Sequence, residues 1–252
     1  MDIVEVASYP KSGSTWLCNI ITQYCHQQYG KKLTINGVHG KKSEIDNGQS
    51  NVRLGANEFC VYKSHKRDHP FMQANRIIHI MRHPLDVFFS ARNFLYLKAK
   101  NGQPHAFNKF LNNEPKSVEQ TIKDGELNYY FDEFCEKAGS NYWPGMLGDE
   151  SNWFTYVKNA LNAKHTQTIR YESLISNFEE TTNNAMQYVF SENYALSPVD
   201  RAVVDSKTKN SSNKGFYWKS KQGTYKEFLS TQQIAAFYKV HEADMNFLGY
   251  CE

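Results

Sequence analysis

Three clusters of basic, hydroxyl and imidazole side chains, each placed directly behind a short apolar run, hold most of the residues in this chain that could do chemistry. The first is Tyr9-Pro10-Lys11-Ser12-Gly13-Ser14-Thr15-Trp16, between the apolar stretches Ile3–Ala7 and Leu17–Thr22. It reads as strand, turn, helix. The backbone N–H groups of residues 12 to 16 would open that helix without intrahelical partners, and a lysine, hydroxyls and a glycine stand beside them, so the turn suits an anion, best a phosphate. It is not a Walker A loop, which places a glycine four residues ahead of Gly-Lys-Ser/Thr, whereas here Lys11 precedes Gly13. The second cluster is Tyr62-Lys63-Ser64-His65, where the spacing of two at a strand end puts Lys63 and His65 on one face. The third runs from Met81-Arg82-His83-Pro84 to Ser90, with Pro84 suited to a first helical position. Taken singly, each has a plainer reading: a Gly/Ser turn, one of nine histidines, or an arginine closing a strand with Asp86 in the first turn of a helix.

The elements that must position these clusters follow from the apolar pattern. Strand-like runs occur at Ile3–Ala7, Phe59–Tyr62, Ile77–Met81 and Thr166–Tyr171, each followed by polar turn residues and a longer helical pattern. Strands alternating with helices predict a parallel sheet, and in open parallel sheets ligands sit beyond the carboxyl ends of the strands, where all three clusters fall. Three polar stretches read as long loops of the lid or binding kind: Gly37–Leu54, residues 98–118 and Ser206–Gly223. No internal repeat or low-complexity tract is present.

With 252 residues the chain suits one large α/β domain, residues 1–252, with a sizeable core. A net charge of +3, with basic residues recurring beside glycine and serine and no continuous run, favours pockets for a small polyanion over a nucleic-acid surface. Five cysteines, an odd number without a C-x-x-C pair, predict reduced thiols and a cytoplasmic protein. The first strand begins almost at once, leaving no room for a signal peptide, and no apolar run approaches the ~20 residues of a membrane span. Aromatic residues crowd positions 88 to 156, which fits either core or a ring-lined pocket.

Lys-Ser-Gly-Ser-Thr-Trp behind Tyr-Pro resembles the 5′-phosphosulfate loop of the cytosolic-type sulfotransferases, which transfer sulfuryl from 3′-phosphoadenosine 5′-phosphosulfate. The resemblance implies that Lys11 and the amides of Ser12, Gly13, Ser14 and Thr15 hold the 5′-phosphosulfate and that Trp16 stacks on the adenine. Lys63-Ser64-His65 is similar to the family's Lys-Thr-His segment, which makes His65 the general base and Lys63 a charge partner of the sulfuryl oxygens. The segment from Arg82 to Ser90 resembles Arg-x-Pro-x-Asp-x-x-x-Ser and implies contacts of Arg82 and Ser90 with the 3′-phosphate. Arg170-Tyr171-Glu172-Ser173-Leu174 resembles Lys-Tyr-Glu-Asp-Leu, whose tyrosine contacts the adenine, so Tyr171 takes that role. A tyrosine at a strand end with its ring in the core is the other reading.

Two further segments match less fully. Trp153-Phe154-Thr155-Tyr156-Val157 is similar to Gly-Ser-Trp-aromatic-x-His-Val, with Tyr156 where many relatives carry a pocket histidine, so the acceptor wall differs. Trp218-Lys219-Ser220-Lys221-Gln222-Gly223-Thr224-Tyr225-Lys226 aligns with Arg-Lys-Gly-x-x-Gly-Asp-Trp-Lys, but Trp218 stands where the arginine of the 3′-phosphate site would be. Lys219, the Ser220 amide, or Lys214 with Gly215 would substitute, with Lys219 first. The family's dimer motif survives only in outline at Lys226, Ser230, Thr231 and Ala235, which implies a monomer or weak dimer. The reading as a whole is an α/β, P-loop-like sulfotransferase fold with a central parallel sheet and helices on both faces. The activity it implies is sulfuryl transfer to a hydroxyl or amine of a small molecule, without metal, nucleic acid or membrane. The rivals are a small-molecule kinase, which needs a Walker A loop and a metal-binding Asp, and a non-catalytic nucleotide-binding module. The alignment predicts that Lys219→Ala weakens donor binding by about 1.5–3 kcal/mol and more than Lys214→Ala does, which calorimetry on the two variants checks.

Overall fold

Runs of Val, Ile and Ala with few polar interruptions form strands that can be buried on both faces, the condition for parallel pairing. In the computed structural model of the protein these are β1 (Asp2–Ser8), β3 (Asn57–Ser64), β4 (Arg76–Met81) and β5 (Thr166–Arg170), joined by a short β2 (Asn51–Leu54). The structure describes residues 1–35, 37, 51–54, 56–66, 74–101, 116–140, 142–143, 147, 152–191, 194–210 and 219–250. Strand order is β2-β3-β1-β4-β5. β1 pairs in parallel with β3 and β4, and β4 with β5, while β2 lies antiparallel to β3. The register sets Ala7 beside Ser64, Ser8 beside Ile80, and Met81 beside Arg170. The turns that follow β1, β3, β4 and β5 therefore emerge side by side.

Two compact units share the chain: residues 1–82 with 157–214, and residues 83–156 with 215–252. In the first, one sheet face contributes Val4, Val6, Phe59, Val61, Ile78, Ile80 and Ile169 to a core completed by helices. Helix α1 (Ser14–Tyr29) adds Leu17, Ile20, Ile21 and Tyr24. It ends at Gly30, whose φ of 63° lets the backbone turn back so that its N–H meets the helix's last carbonyls. Later in the chain, α6 (Tyr171–Ser176), α7 (Phe178–Phe190) and α8 (Arg201–Asn210) supply Leu174, Ala185, Met186, Val189, Phe190 and Val204. Each such side chain contributes about 1.5–3 kcal/mol when fully buried, so the sheet and these helices hold each other.

The second unit contains α2 (Pro84–Lys100), α3 (Val118–Lys123), α4 (Leu127–Lys137), α9 (Thr231–Val240) and α10 (Glu242–Phe247), with a 3-10 turn at Thr224–Glu227. Helix α5 (Trp153–Asn162) begins in it and runs on into the first. Most of the described aromatic residues between 88 and 156 are core. Phe88 packs on Phe89, Phe131 and Phe134, and Phe134 stacks with Tyr142 and Phe237, all of them fully or almost fully buried.

Three expectations change. Asn51–Leu54, read as the end of a loop, is the edge strand β2, because the alternation Val52/Leu54 buries two side chains while Arg53 points out. The polar look of Ser206–Asn210 concealed the last turns of α8, where Thr208 is buried and Lys207 and Lys209 complement the carbonyl end of the helix. Tyr171 does not close β5 but opens α6. Residues 38–50, 102–115 and 211–218 of the expected loops lie outside the described residues.

On the sheet face away from the apolar core, the Tyr62 hydroxyl donates to Glu5 Oε2 at 3.0 Å from the neighbouring strand. Burial and the adjacent carboxylate push the Tyr62 phenol well above its usual range, so it stays a donor at any working pH. Tyr62→Phe removes a donor to a carboxylate that is 4 % exposed. We expect a loss of about 1.5–3 kcal/mol in urea unfolding, because a hydrogen bond to a buried charged group is removed with no water to replace it.

Candidate functional site

The turn between β1 and α1 is built from backbone conformations that side chains resist. Lys11 has φ 72°, in the left-handed region that costs a residue with a Cβ of order 1 kcal/mol, and Gly13 has φ 109°. Ser12 N–H closes the turn on Tyr9 O at 3.2 Å, and Leu17 N–H starts the helical ladder on Gly13 O at 3.1 Å. No side chain caps α1. This contrasts with α3 and α9, where Ser117 and Ser230 accept the first-turn amides. The amides at the start of α1 are left to a ligand, and the Ser12 hydroxyl is buried with no hydrogen-bond partner. An anion with several acceptor oxygens fits both needs, and the helix dipole favours its charge.

Beside this turn, at the end of β3, Lys63 Nζ donates to Thr15 Oγ1 at 3.4 Å. Burial holds the Lys63 ammonium below the usual lysine value. The Cys18 thiol is pushed up to about 11 by burial and is not a thiolate at neutral pH. His65 Nδ1 lies 2.8 Å from the Ser8 carbonyl and 3.3 Å from its hydroxyl. A carbonyl only accepts, so Nδ1 carries the proton, and the lone pair of the neutral ring is on Nε2. Thr15, Cys18, Asn19, Ile35, Gly37, Lys63 and His65 line one cavity of about 240 Å³. A histidine, a lysine and a threonine thus border one small space beside the start of α1.

Arg82 directly follows β4, with its guanidinium 4.4 Å from the centre of the Tyr171 ring. Tyr171, next along the sheet edge, also lies against Gly13 and 5.5 Å from Trp16. Trp16 and Tyr171 are only 4 % and 5 % exposed, so both rings are largely core. The structure therefore brings together Lys11, Ser12, Gly13, Ser14, Thr15, Trp16, Lys63, His65, Arg82 and Tyr171 in the first unit. Ser90, Lys219 and Ser220 belong to the second.

In that unit Ser90 is buried on α2, one turn after Asp86. Asp86 accepts Gly223 N–H at 2.8 Å and Tyr225 N–H at 3.2 Å, holding the C-terminal basic segment onto the start of α2. His83 caps α2 by accepting Leu85 N–H at 3.3 Å and stacks on Tyr225 at 4.5 Å. Lys219 and Ser220 take φ of 53° and 46°. The Lys219 ammonium lies 2.5 Å from Glu227 and 4.2 Å from the Phe228 ring centre, so it meets a carboxylate where the alignment expects a phosphate. Lys221 pairs with the same carboxylate, and the two lysines, Lys219 foremost, hold Glu227 below the usual carboxylate range. Trp218, Lys214 and Gly215 lie outside the described residues. Tyr156, expected on an acceptor wall, is fully buried. The part played by Asp86 went unread because an acidic residue in a first helical turn has a sufficient local reason to be there; its distance of 137 positions from Gly223 hid the rest.

A model of the sulfotransferase domain family matches residues 2–249. The chain belongs to the sulfotransferase family. No curated protein sequence matches it. Among solved structures, this sulfotransferase is similar to the mouse sulfotransferase SULT7A1 complexed with PAP. The two are 16 % identical with a TM-score of 0.62, over 97 % of this chain and 85 % of that one. It is also similar to retinol dehydratase in complex with androsterone and inactive cofactor PAP, at 13 % identity and a TM-score of 0.60, over 96 % and 80 % of the two chains. The same enzyme in a complex with retinol and PAP gives 14 % identity and a TM-score of 0.59, over 96 % and 81 %. At these identities the structural likeness establishes the sulfotransferase fold. Among the described residues no helix is long and apolar enough to cross a membrane, and no group of three His, Cys, Asp or Glu is placed to hold a metal ion.

A methyl group at Gly13 would sit 2.7 Å from Tyr171 Cδ2, whereas at Gly30 it would meet nothing within 4 Å. Both residues have positive φ, so alanine strains the backbone at either position, but only Gly13→Ala must also displace a buried ring. We expect Gly30→Ala to cost about 1 kcal/mol and Gly13→Ala about 2–4 kcal/mol in thermal or urea unfolding, with loss of nucleotide binding in the second alone.

Proposed function

We propose that this sulfotransferase moves a sulfuryl group from 3′-phosphoadenosine 5′-phosphosulfate to a hydroxyl or amine of a small molecule. The observation that carries the reading is the shared cavity lined by Thr15, Lys63 and His65 beside the uncapped N-terminus of α1. The matched span of residues 2–249 supports treating both units as parts of one sulfotransferase domain. PAP is named for each of the structural relatives above, and the buried, unpartnered Ser12 hydroxyl with the open α1 amides fits its 5′-phosphate.

The donor supplies the sulfuryl group and, in its 5′-phosphate, the leaving group. Lys11 and the amides of Ser12 to Thr15 hold that phosphate, and Trp16 and Tyr171 border the adenine. By the resemblance Arg82 in the first unit, and Ser90 with the Lys219–Ser220 segment in the second, are the groups assigned to the 3′-phosphate; Lys219 must leave Glu227 to take that role. His65 Nε2 takes the acceptor's proton as the acceptor oxygen or nitrogen bonds to sulfur and the bond from sulfur to the phosphate oxygen breaks. Lys63 and Lys11 offset the charge that spreads over the sulfuryl and leaving oxygens. The Ser8 carbonyl keeps the His65 proton on Nδ1, so the base is presented in the working tautomer before substrate arrives. A monomer or weak dimer in the cytoplasm is the setting that the damaged dimer motif and the buried free cysteines support.

Adenosine 3′,5′-bisphosphate should raise the melting temperature without magnesium while ATP does little, the stabilisation reaching about 2.7 kcal/mol at a hundredfold excess over Kd. Equal shifts with ATP and a need for Mg²⁺ would favour phosphoryl transfer. His65→Asn should leave the affinity for adenosine 3′,5′-bisphosphate unchanged and lower turnover about 10²–10⁴-fold, less with an acidic phenol whose proton is easily lost. Full activity of that variant on an aliphatic alcohol or amine across pH 6–9 removes His65 from the mechanism.

The sign of the Lys63 shift yields a further test. Its cationic form is the useful one, and burial lowers its pKa, so the rate should fall on the alkaline side at a pH below the ordinary lysine value of 10.5. In Lys63→Arg the guanidinium stays charged, and the alkaline limb of the pH–rate profile should move up. An alkaline limb unchanged by that substitution assigns it to another group.

A further inference from the structure

One stripe of α1 is joined to the neighbouring α8 segment by four hydrogen bonds. Trp16 Nε1 donates to Asp205 Oδ1 at 3.0 Å and Asn19 Nδ2 to Thr208 Oγ1 at 2.9 Å. Lys207 Nζ donates to Gln23 Oε1 at 2.5 Å, and the Asp200 N–H to Gln27 Oε1 at 3.2 Å. The spacings of three, four and four residues place Trp16, Asn19, Gln23 and Gln27 on one face of the helix. Three of these bonds end on amide side chains. The fourth ends on the indole.

Asp205 is in turn held. Its Oδ2 lies 3.7 Å from Arg201 Nε, one helical turn earlier. The Arg201 guanidinium sits 5.7 Å from the Trp16 ring centre and 5.3 Å from that of Phe178, and Nη1 donates to Ile175 O at 3.0 Å. Ile175 belongs to α6, which opens with Tyr171, and the Tyr171 ring lies 5.5 Å from Trp16. The contacts close a circuit from Trp16 through Asp205, Arg201 and α6 to Tyr171 and back to Trp16.

The circuit contributes little to stability by charge, because the Asp205 and Arg201 side chains are 29 % and 41 % exposed and water screens the pair. Its effect is directional. The χ2 torsion of a tryptophan is broad, so ring packing and the N–H bond together set the roll of the indole. An N–H bond to a carboxylate selects one orientation.

We propose that Asp205, oriented by Arg201, is a positioning residue that fixes the Trp16 indole for the purine of the bound nucleotide, so that affinity for the base is set from α8 and not from the phosphate loop alone. This rests on the reading of Trp16 as a border of the adenine subsite. Asp205 touches no reacting atom. Its removal therefore acts on ligands that carry a base and spares those that carry only phosphate.

Calorimetry with adenosine 3′,5′-bisphosphate and with inorganic pyrophosphate tests this on wild type, Asp205→Ala, Asp205→Asn and Arg201→Met. Asp205→Ala should weaken the bisphosphate about tenfold and leave pyrophosphate within about twofold. The donor KM should rise in step while kcat and the acceptor KM hold. Asp205→Asn, whose amide oxygen still accepts the indole N–H, should recover most of the affinity, and Arg201→Met should fall between. Adding Asp205→Ala to Trp16→Phe should cost nothing beyond Trp16→Phe alone, since no N–H is left to hold. Equal weakening of both ligands, or a lower melting temperature with unchanged affinities, would overturn the proposal and leave Asp205 a structural brace. Wild type that binds the bisphosphate while Asp205→Ala matches it sinks this inference alone; wild type that does not bind the bisphosphate sinks the nucleotide reading and this inference with it.

Discussion

The packing of the Gly13 turn against the Tyr171 ring constrains everything at the carboxyl edge of the sheet. With 2.7 Å between the position of a Cβ and the ring, the turn has room for backbone only, and backbone alone can present a row of N–H groups to a ligand at such close range. The same ring lies 4.4 Å beneath the Arg82 guanidinium and 5.5 Å from Trp16, so three separate elements take their positions from one side chain. Parallel register makes this possible: β5 lies beside β4 and β4 beside β1, which brings Tyr171, Arg82 and the turn into line.

Charge at this edge is arranged so that little must move when an anion arrives. The uncapped start of α1 leaves its amides to the ligand, Lys63 is kept partly from water against Thr15, and a main-chain carbonyl fixes the protonation of His65. Each group is costly or indifferent for folding. A buried ammonium loses hydration, a left-handed Lys11 is strained, and an unpartnered Ser12 hydroxyl forgoes a hydrogen bond. Their meeting around one turn marks a place where binding can compensate for what folding leaves unsatisfied. The second unit shows the complementary arrangement, in which Asp86 satisfies two backbone amides of the C-terminal segment and two lysines wait on Glu227.

Four of the strands, the start of α1 and the placement of Lys63, His65 and Arg82 at strand ends were legible in the sequence. They depend on local causes: apolar runs, a glycine with a positive φ, and side-chain alternation over two residues. The edge strand Asn51–Leu54 was not, because four residues with an arginine and an asparagine carry too little apolar signal, and only pairing with β3 decides the conformation. The last turns of α8 were hidden by their lysines and serine. Whether the aromatic residues from 88 to 156 make a pocket or a core was equally open, since burial is a property of neighbours and not of composition.

The sequence by itself determined the family, the order of strand and helix, and the residue types at each strand end, because these are fixed by short-range pattern and by motifs a few residues long. Only the tertiary structure decided which proton His65 carries, that Lys219 meets Glu227, that Asp86 anchors a segment 137 residues away, and that Trp16 is held from α8 by Asp205. Each of these is a contact between residues distant in the chain. A directional bond between such partners leaves no mark on the local spacing of either one.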